Sequence, residues 1–138
     1  MSRENITVDA VVEADIKKAW EYYNNPAHIT QWNFATDDWC CPRSENDLRV
    51  GGKLISRMEA KDGSFGFDLV AIYDEVVPYR KIRSHLEDGR EVIVDWTDKG
   101  NQTMISIQFE AEEMNPADMQ RNGWQAILNN FKKYTERH

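Results

Sequence analysis

Four turn signals cut residues 53–111 into short, even segments, and this spacing limits the fold more than anything else in the chain. They are Lys61-Asp62-Gly63, Val77-Pro78, Glu87-Asp88-Gly89 and Asp98-Lys99-Gly100-Asn101. Glycine supplies positive φ, Asp and Asn bond their own backbone, and Pro fixes φ, so each cluster reverses the chain. The segments between them, near 53–60, 65–76, 80–87, 90–97 and 102–111, read as strands. Connections this short cannot carry the chain back to start a parallel neighbour, so the strands form an antiparallel meander.

The period changes after residue 111. Asn115-Pro116 can cap and open a helix, and Trp124, Ile127, Leu128, Phe131 and Tyr134 then recur every three or four residues. That spacing predicts an amphipathic helix of about five turns, with Gln125, Asn129, Lys132 and Lys133 facing water. Near the start, Ile6, Val8, Ala10 and Val12 alternate with polar residues as in a strand buried on one face. Asp15 offers an N-cap to a helix carrying Ile16, Ala19, Trp20 and Tyr23. Asn24-Asn25-Pro26 ends it and opens a second short helix, Ala27 to Trp32. Residues 33–50 show no period, although Trp39 to Arg43 fits a short edge strand.

No repeat or linker interrupts the 138 residues, so a single domain over 1–138 is expected. The element order predicts an α+β fold. A curved antiparallel sheet of about 6–7 strands wraps a long C-terminal helix, with two short helices after the first strand. Such a sheet leaves a gap where curvature exceeds side-chain reach, and gaps of this kind take apolar ligands.

Residues 6–12, Ala14 to Trp20, Asn25-Pro26 with Ile29 and Trp32, Asp47-Leu48-Arg49-Val50-Gly51-Gly52-Lys53, Asp62-Gly63, Glu75-Val76-Val77-Pro78, and Gly123-Trp124 with Leu128 form an ordered series along the chain. This series resembles the SRPBCC superfamily, whose START-like or Bet v 1-like members share the helix-grip fold. Within it the chain is similar to the family named for the C-terminal domain of the activator of Hsp90 ATPase (AHSA1-type). Residues 6–12 resemble its first strand, and Ala14-Asp15-Ile16-Lys17-Lys18-Ala19-Trp20 its helix opening. Asn25-Pro26, Ile29 and Trp32 resemble its second helix, and Asp47-Leu48-Arg49-Val50-Gly51-Gly52-Lys53 its most recognisable motif. Asp62-Gly63 and Glu75-Val76-Val77-Pro78 resemble its turns, with Tyr79 where a second proline is usual. Gly123-Trp124 and Leu128 resemble the start of its last helix. The resemblance implies a pocket between the last helix and the sheet. It also implies three functional classes: a small-molecule binder, a pocket enzyme of the cyclase or dehydratase type, and an Hsp90-type co-chaperone. Hsp90 activators carry a further N-terminal domain that these 138 residues do not, which argues against the third. Some relatives pair, so a homodimer is a further expectation.

The charge balance, 24 acidic against 17 basic residues, argues against nucleic-acid partners, which select a basic face. No apolar run reaches the roughly 18–20 residues of a membrane span. Met1-Ser2-Arg3-Glu4-Asn5 does not resemble a secretory leader. Adjacent Cys40 and Cys41 bridge only through a strained ring, so free thiols and a cytoplasmic setting are expected, with one thiol inward and one outward.

Residues able to carry chemistry are few. His28, His85 and His138 lack ligand spacing, so no metal or other cofactor is expected and both internal histidines read as exposed. Gly51-Gly52 reads as a turn or bulge rather than a phosphate loop, because a strand follows it. If Val92, Val94 and Trp96 face in, Asp95 faces water. Asp68 is undecided: Phe67 and Leu69 share one face of its strand, Val70 and Ile72 the other. A buried Asp68 would be an acid or base candidate, and His85 and the pair Asp37/Asp38 complete that set.

Five Trp, five Tyr and five Phe in so short a chain are the composition of a packed domain and not of a disordered segment. The candidate walls of an apolar or amphipathic ligand pocket are Trp32, Phe34, Trp39, Met58, Phe67, Trp96, Trp124, Ile127 and Leu128. Trp20, on the first helix, reads as packing. Whether these side chains line a space or fill it stays open at this level. Ser56, Arg57 and Ser84 are the polar tips able to orient a ligand.

Overall fold

Every expected strand forms, and the strands join in one sheet. The computed structural model describes residues 4–138, so the reading of Met1-Ser2-Arg3 lies outside the described residues. β1 (Asn5–Val12) buries Ile6, Val8 and Val12. α1 (Ile16–Asn24) starts where the Asp15 carboxylate accepts the Lys18 N–H at 2.9 Å. In α2 (Pro26–Trp32) the Asn25 side chain accepts from the Ala27 N–H, and Pro26 needs no donor in the first turn. β2 (Trp39–Asn46), β3 (Lys53–Ala60), β4 (Gly66–Val77), β5 (Lys81–Leu86), β6 (Glu91–Asp98) and β7 (Thr103–Glu110) follow, then α3 (Ala117–Arg137).

The seven strands form a curled antiparallel sheet in the order β1-β7-β6-β5-β4-β3-β2. β1 therefore closes onto the last strand and forms one margin. β2 is the other, and it continues past Arg43 to Asn46. A register shift between Cys40 and Arg43 hides its alternation from a sequence reading. With its two short helices, this is the helix-grip α+β fold.

Register decides which residues face the helix. Phe67 opposes Met58, and Ala71 opposes Leu54 and Leu86, so Phe67, Leu69, Ala71 and Tyr73 point inward. Asp68, Val70 and Ile72 then point outward. On β6 the buried residues are Val92, Val94 and Trp96, and Asp95 is exposed as expected.

Gly51-Gly52 closes a tight loop before β3. The Gly51 N–H donates to the Tyr73 carbonyl at 2.9 Å, and the Gly52 carbonyl accepts from the Tyr73 N–H at 3.0 Å. Gly51 has φ +84°, and a Cβ on Gly52 would stand 2.1 Å from the Asp47 carbonyl oxygen. Both positions therefore call for glycine.

α3 differs from expectation at both its start and its flank. Asn115 does not cap it: the Asn115 amide bonds Glu112, and Pro116 holds the cap position without a side-chain bond. Gln120 reaches back instead, accepting the Glu112 N–H and donating to the Asn115 carbonyl. Gln125 and Lys132, expected to face water, donate to the Asp9 and Val11 carbonyls of β1 at 3.0 and 2.8 Å. Asn129 and Lys133 are exposed. The helix thus lies along β1 and leans on α1 and α2. The concave face of β3 to β6 is left with space above it.

Candidate functional site

That space is a cavity of about 430 Å³. Its floor follows from strand alternation: Leu69, Ala71 and Tyr73 on β4, Ile82, Ser84 and Leu86 on β5, Val92 and Val94 on β6. Its roof follows from helical spacing: Gln120, Trp124, Ile127 and Leu128 share one face of α3. Tyr23, Ile29 and Trp32 from the short helices close one end. α3 is held against the sheet on one side by Trp124, whose ring stacks on Phe109.

Polar groups are few and separated. At the α1 end the Tyr73 hydroxyl donates to Asn46 Oδ1 at 2.6 Å, and Asn46 Nδ2 donates to the Asn24 carbonyl at 2.7 Å. Burial raises the Tyr73 phenol above its ordinary range; neighbouring Tyr23 adds to this and the bond to Asn46 opposes it. Burial alone pushes Tyr23 up to about 12. Both phenols are neutral at physiological pH. Midway along the floor the buried Ser84 hydroxyl makes no hydrogen bond to any described residue. At the far end stand Arg90, Glu112 and Gln120, with Arg90 Nε holding Asp88 at 2.7 Å.

Of the residues singled out from sequence, Trp32, Met58, Phe67, Trp124, Ile127 and Leu128 meet around this cavity. Three do not line it. Trp96 lies farther along β6, beneath α1, packed on Trp20 at 5.0 Å and Tyr23 at 5.1 Å; Val92 and Val94 take the stretch under the cavity. Trp39 sits at the β2 margin, 6.1 Å from Phe65 and 6.2 Å from Phe67. Phe34 lies past α2, where its carbonyl accepts from Asn130 at 2.8 Å. Trp20 packs, as its place on the first helix implied.

The acid and base candidates are displaced by the same alternation. Asp68 is on the outer face, half-exposed and 3.5 Å from Arg57. His85, between inward Ser84 and Leu86, is also outside and pairs with Asp74 at 2.9 Å. Asp37 and Asp38 are exposed, and Thr36 bonds Asp38. None of the four borders the cavity. His28 corrects the expectation of an exposed ring: it stacks on Tyr22 at 4.0 Å and its Nδ1 lies 2.7 Å from the Tyr134 hydroxyl. No group of three His, Cys, Asp or Glu among the described residues is placed to hold a metal ion.

Cys41 is buried and Cys40 half-buried. Burial raises the Cys41 thiol, while hydrogen bonding with Asn33 and Ser56 opposes the rise. It is a packed thiol rather than a nucleophile. Ser56 bonds Ser44 at 3.0 Å and Arg57 points outward, so of the three polar tips only Ser84 reaches the cavity. Sequence reasoning missed Tyr73, Asn46 and Gln120. Tyr73 shares the parity of Leu69 and Ala71, which was a usable signal; Asn46 lies in the aperiodic stretch and had none.

The model of the family described as activator of Hsp90 ATPase homolog 1-like protein matches residues 13–136. No curated protein sequence matches the chain. An AHSA1-like protein of Aeromonas hydrophila, solved in solution, is 37% identical over 97% of this chain and 93% of its own, with a TM-score of 0.90. A protein of Cytophaga hutchinsonii is 46% identical over 96% of this chain and 92% of its own, with a TM-score of 0.83. A protein of Chromobacterium violaceum, 20% identical over 96% of this chain and 98% of its own, shares the fold at a TM-score of 0.85. Sheet order, helix placement and these matches agree: the chain belongs to the activator of Hsp90 ATPase homolog 1-like family.

Proposed function

We propose that this protein binds an apolar or amphipathic small molecule between α3 and the sheet. The observation that carries the reading is the cavity itself, about 430 Å³ with mainly aliphatic and aromatic walls. That is within the usual size of a small-molecule site, where a few placed polar groups fix orientation. Here those groups are the Ser84 hydroxyl, the Tyr73–Asn46 pair and Arg90. Asp68 and His85 lie on the outer face of the sheet and Asp37 and Asp38 in the exposed turn before β2, so none of these candidate acids and bases reaches the interior, and binding accounts for it better than catalysis does. A cytoplasmic setting goes with this reading, and the two unpaired cysteines support it.

Native mass spectrometry of the freshly purified protein tests the proposal, together with titration by a dansylated fatty acid. An adduct, or saturable probe binding displaced by other apolar compounds, is the expected result. A bare protein mass with no saturable probe binding overturns it.

A further inference from the structure

The two flanks of α3 have different neighbours. Residues three or four apart share a helix face. Gln125 and Lys132 mark the flank that bonds β1. Asn130 marks the opposite flank and donates to the Phe34 carbonyl at 2.8 Å. Ile127 and Gly123 continue that second flank toward the helix N-terminus. Ile127 borders the cavity. Gly123 stands one turn beyond it, past the segment that covers Asn130. A Cβ built on Gly123 meets no atom within 4 Å. Glycine inside a helix is less stable than alanine by about 0.5–1 kcal/mol. No close approach requires glycine here, in contrast to Gly52.

The sheet shows a matching feature across the space. Phe67 borders the cavity and is nevertheless 42% exposed. Phe65 is 5.9 Å from it and more exposed still, and Trp39 packs on both. These rings form a lip at the corner of β2, β3 and β4. An exposed apolar cluster rimming a cavity marks a contact site for apolar material.

We infer that the cavity opens sideways between the bare flank of α3 at Gly123 and the aromatic lip of Phe67, Phe65 and Trp39, and that ligand enters here. The entry of ligand rests on the binding function proposed above; the opening itself does not. Glycine keeps the helix side of the opening free of a side chain. The lip offers ring faces to an apolar molecule before it reaches the floor. A long side chain at position 123 projects across the opening, whereas alanine lacks the reach.

A thiol on the cavity floor reads the opening directly. In a Cys40→Ser, Cys41→Ala background, Ser84→Cys places one reporter there, and its rate of reaction with methyl methanethiosulfonate is followed. Adding Gly123→Leu is expected to slow the reaction about tenfold, in the range by which access changes alter association rates. Gly123→Ala, and Asn122→Leu on the exposed neighbour, keep the parent rate. Leucine forms helix better than glycine, so the blocking variant retains α3. Equal rates for Gly123→Leu and Asn122→Leu overturn the opening. Titration of wild type with dansyl-undecanoic acid is read separately. A slowed thiol supports the opening whether or not the probe binds, and absence of probe binding counts against the proposed function alone.

Discussion

The Trp124 indole stacks on the Phe109 ring with centroids 4.1 Å apart and planes 12° from parallel. This contact joins the first half of α3 to β7. It also sets where solid core ends and cavity begins, since Trp124 borders the cavity while Phe109 is 1% exposed. Phe109→Ala is expected to cost about 3–5 kcal/mol, the range for a large buried ring whose site only partly collapses. The midpoint of urea unfolding measures it, and a loss below 1 kcal/mol, about the cost of an ordinary substitution, contradicts the assignment.

Ala71 lies in the middle of the cavity floor and is 6% exposed. Ala71→Phe directs a ring into existing space rather than into packed atoms. The variant is expected to fold and to lose dansyl-undecanoic acid binding by tenfold or more, roughly 1.4 kcal/mol. Unchanged affinity in a folded variant places the probe elsewhere.

Asp68→Asn and His85→Ala are expected to leave probe affinity unchanged, because both side chains are on the outer face of the sheet. Isothermal titration of the two variants decides this. A loss in either one would show that the outer face takes part.

Tyr23 gives the fold an alkaline limit. Its pKa is pushed from an ordinary 10.0 up to about 12 by burial, so the folded state favours the neutral phenol. That contribution is complete below about pH 10, and is lost as pH rises from there toward 12, because the unfolded chain ionises first. The loss is on the order of 2–3 kcal/mol at the upper end. Unfolding free energies measured across this window are expected to fall less steeply for Tyr23→Phe than for wild type. Parallel slopes contradict the buried phenol.

Two glycines are expected to respond in opposite directions to alanine. Gly52→Ala forces a methyl group to 2.1 Å from a backbone oxygen and should destabilise by more than about 1 kcal/mol. Gly123→Ala meets open space and should stabilise by about 0.4–1 kcal/mol. Thermal unfolding of the two single variants checks both signs.

The fold was legible because most elements hold one period from end to end. β3 has the bounds that its flanking turns imply, and α3 carries the apolar stripe from Trp124 to Tyr134. The site was legible only where parity was. On β6, Val92, Val94 and Trp96 share one face, and Asp95 fell where alternation put it. On β4 both faces are apolar, so only pairing with Met58 and Leu54 of β3 fixes Asp68 outward. Position along a strand was the second loss. Trp96 faces inward as read, but it lies under α1 instead of α3, and alternation does not report how far along a strand a helix crosses. β2 was the third, because its bulge and Pro42 break the pattern that would have extended it to Asn46.

The bonds from Gln125 and Lys132 to β1 bear on self-association. Those carbonyls are what another strand would need in order to extend the sheet, and the helix already occupies them. At the other margin, β2 carries Pro42, which lacks an N–H, inside a bulge. The ladder is thus guarded at both ends against strand-by-strand growth, so two copies of this chain that pair would meet through side chains and not through a continuous sheet.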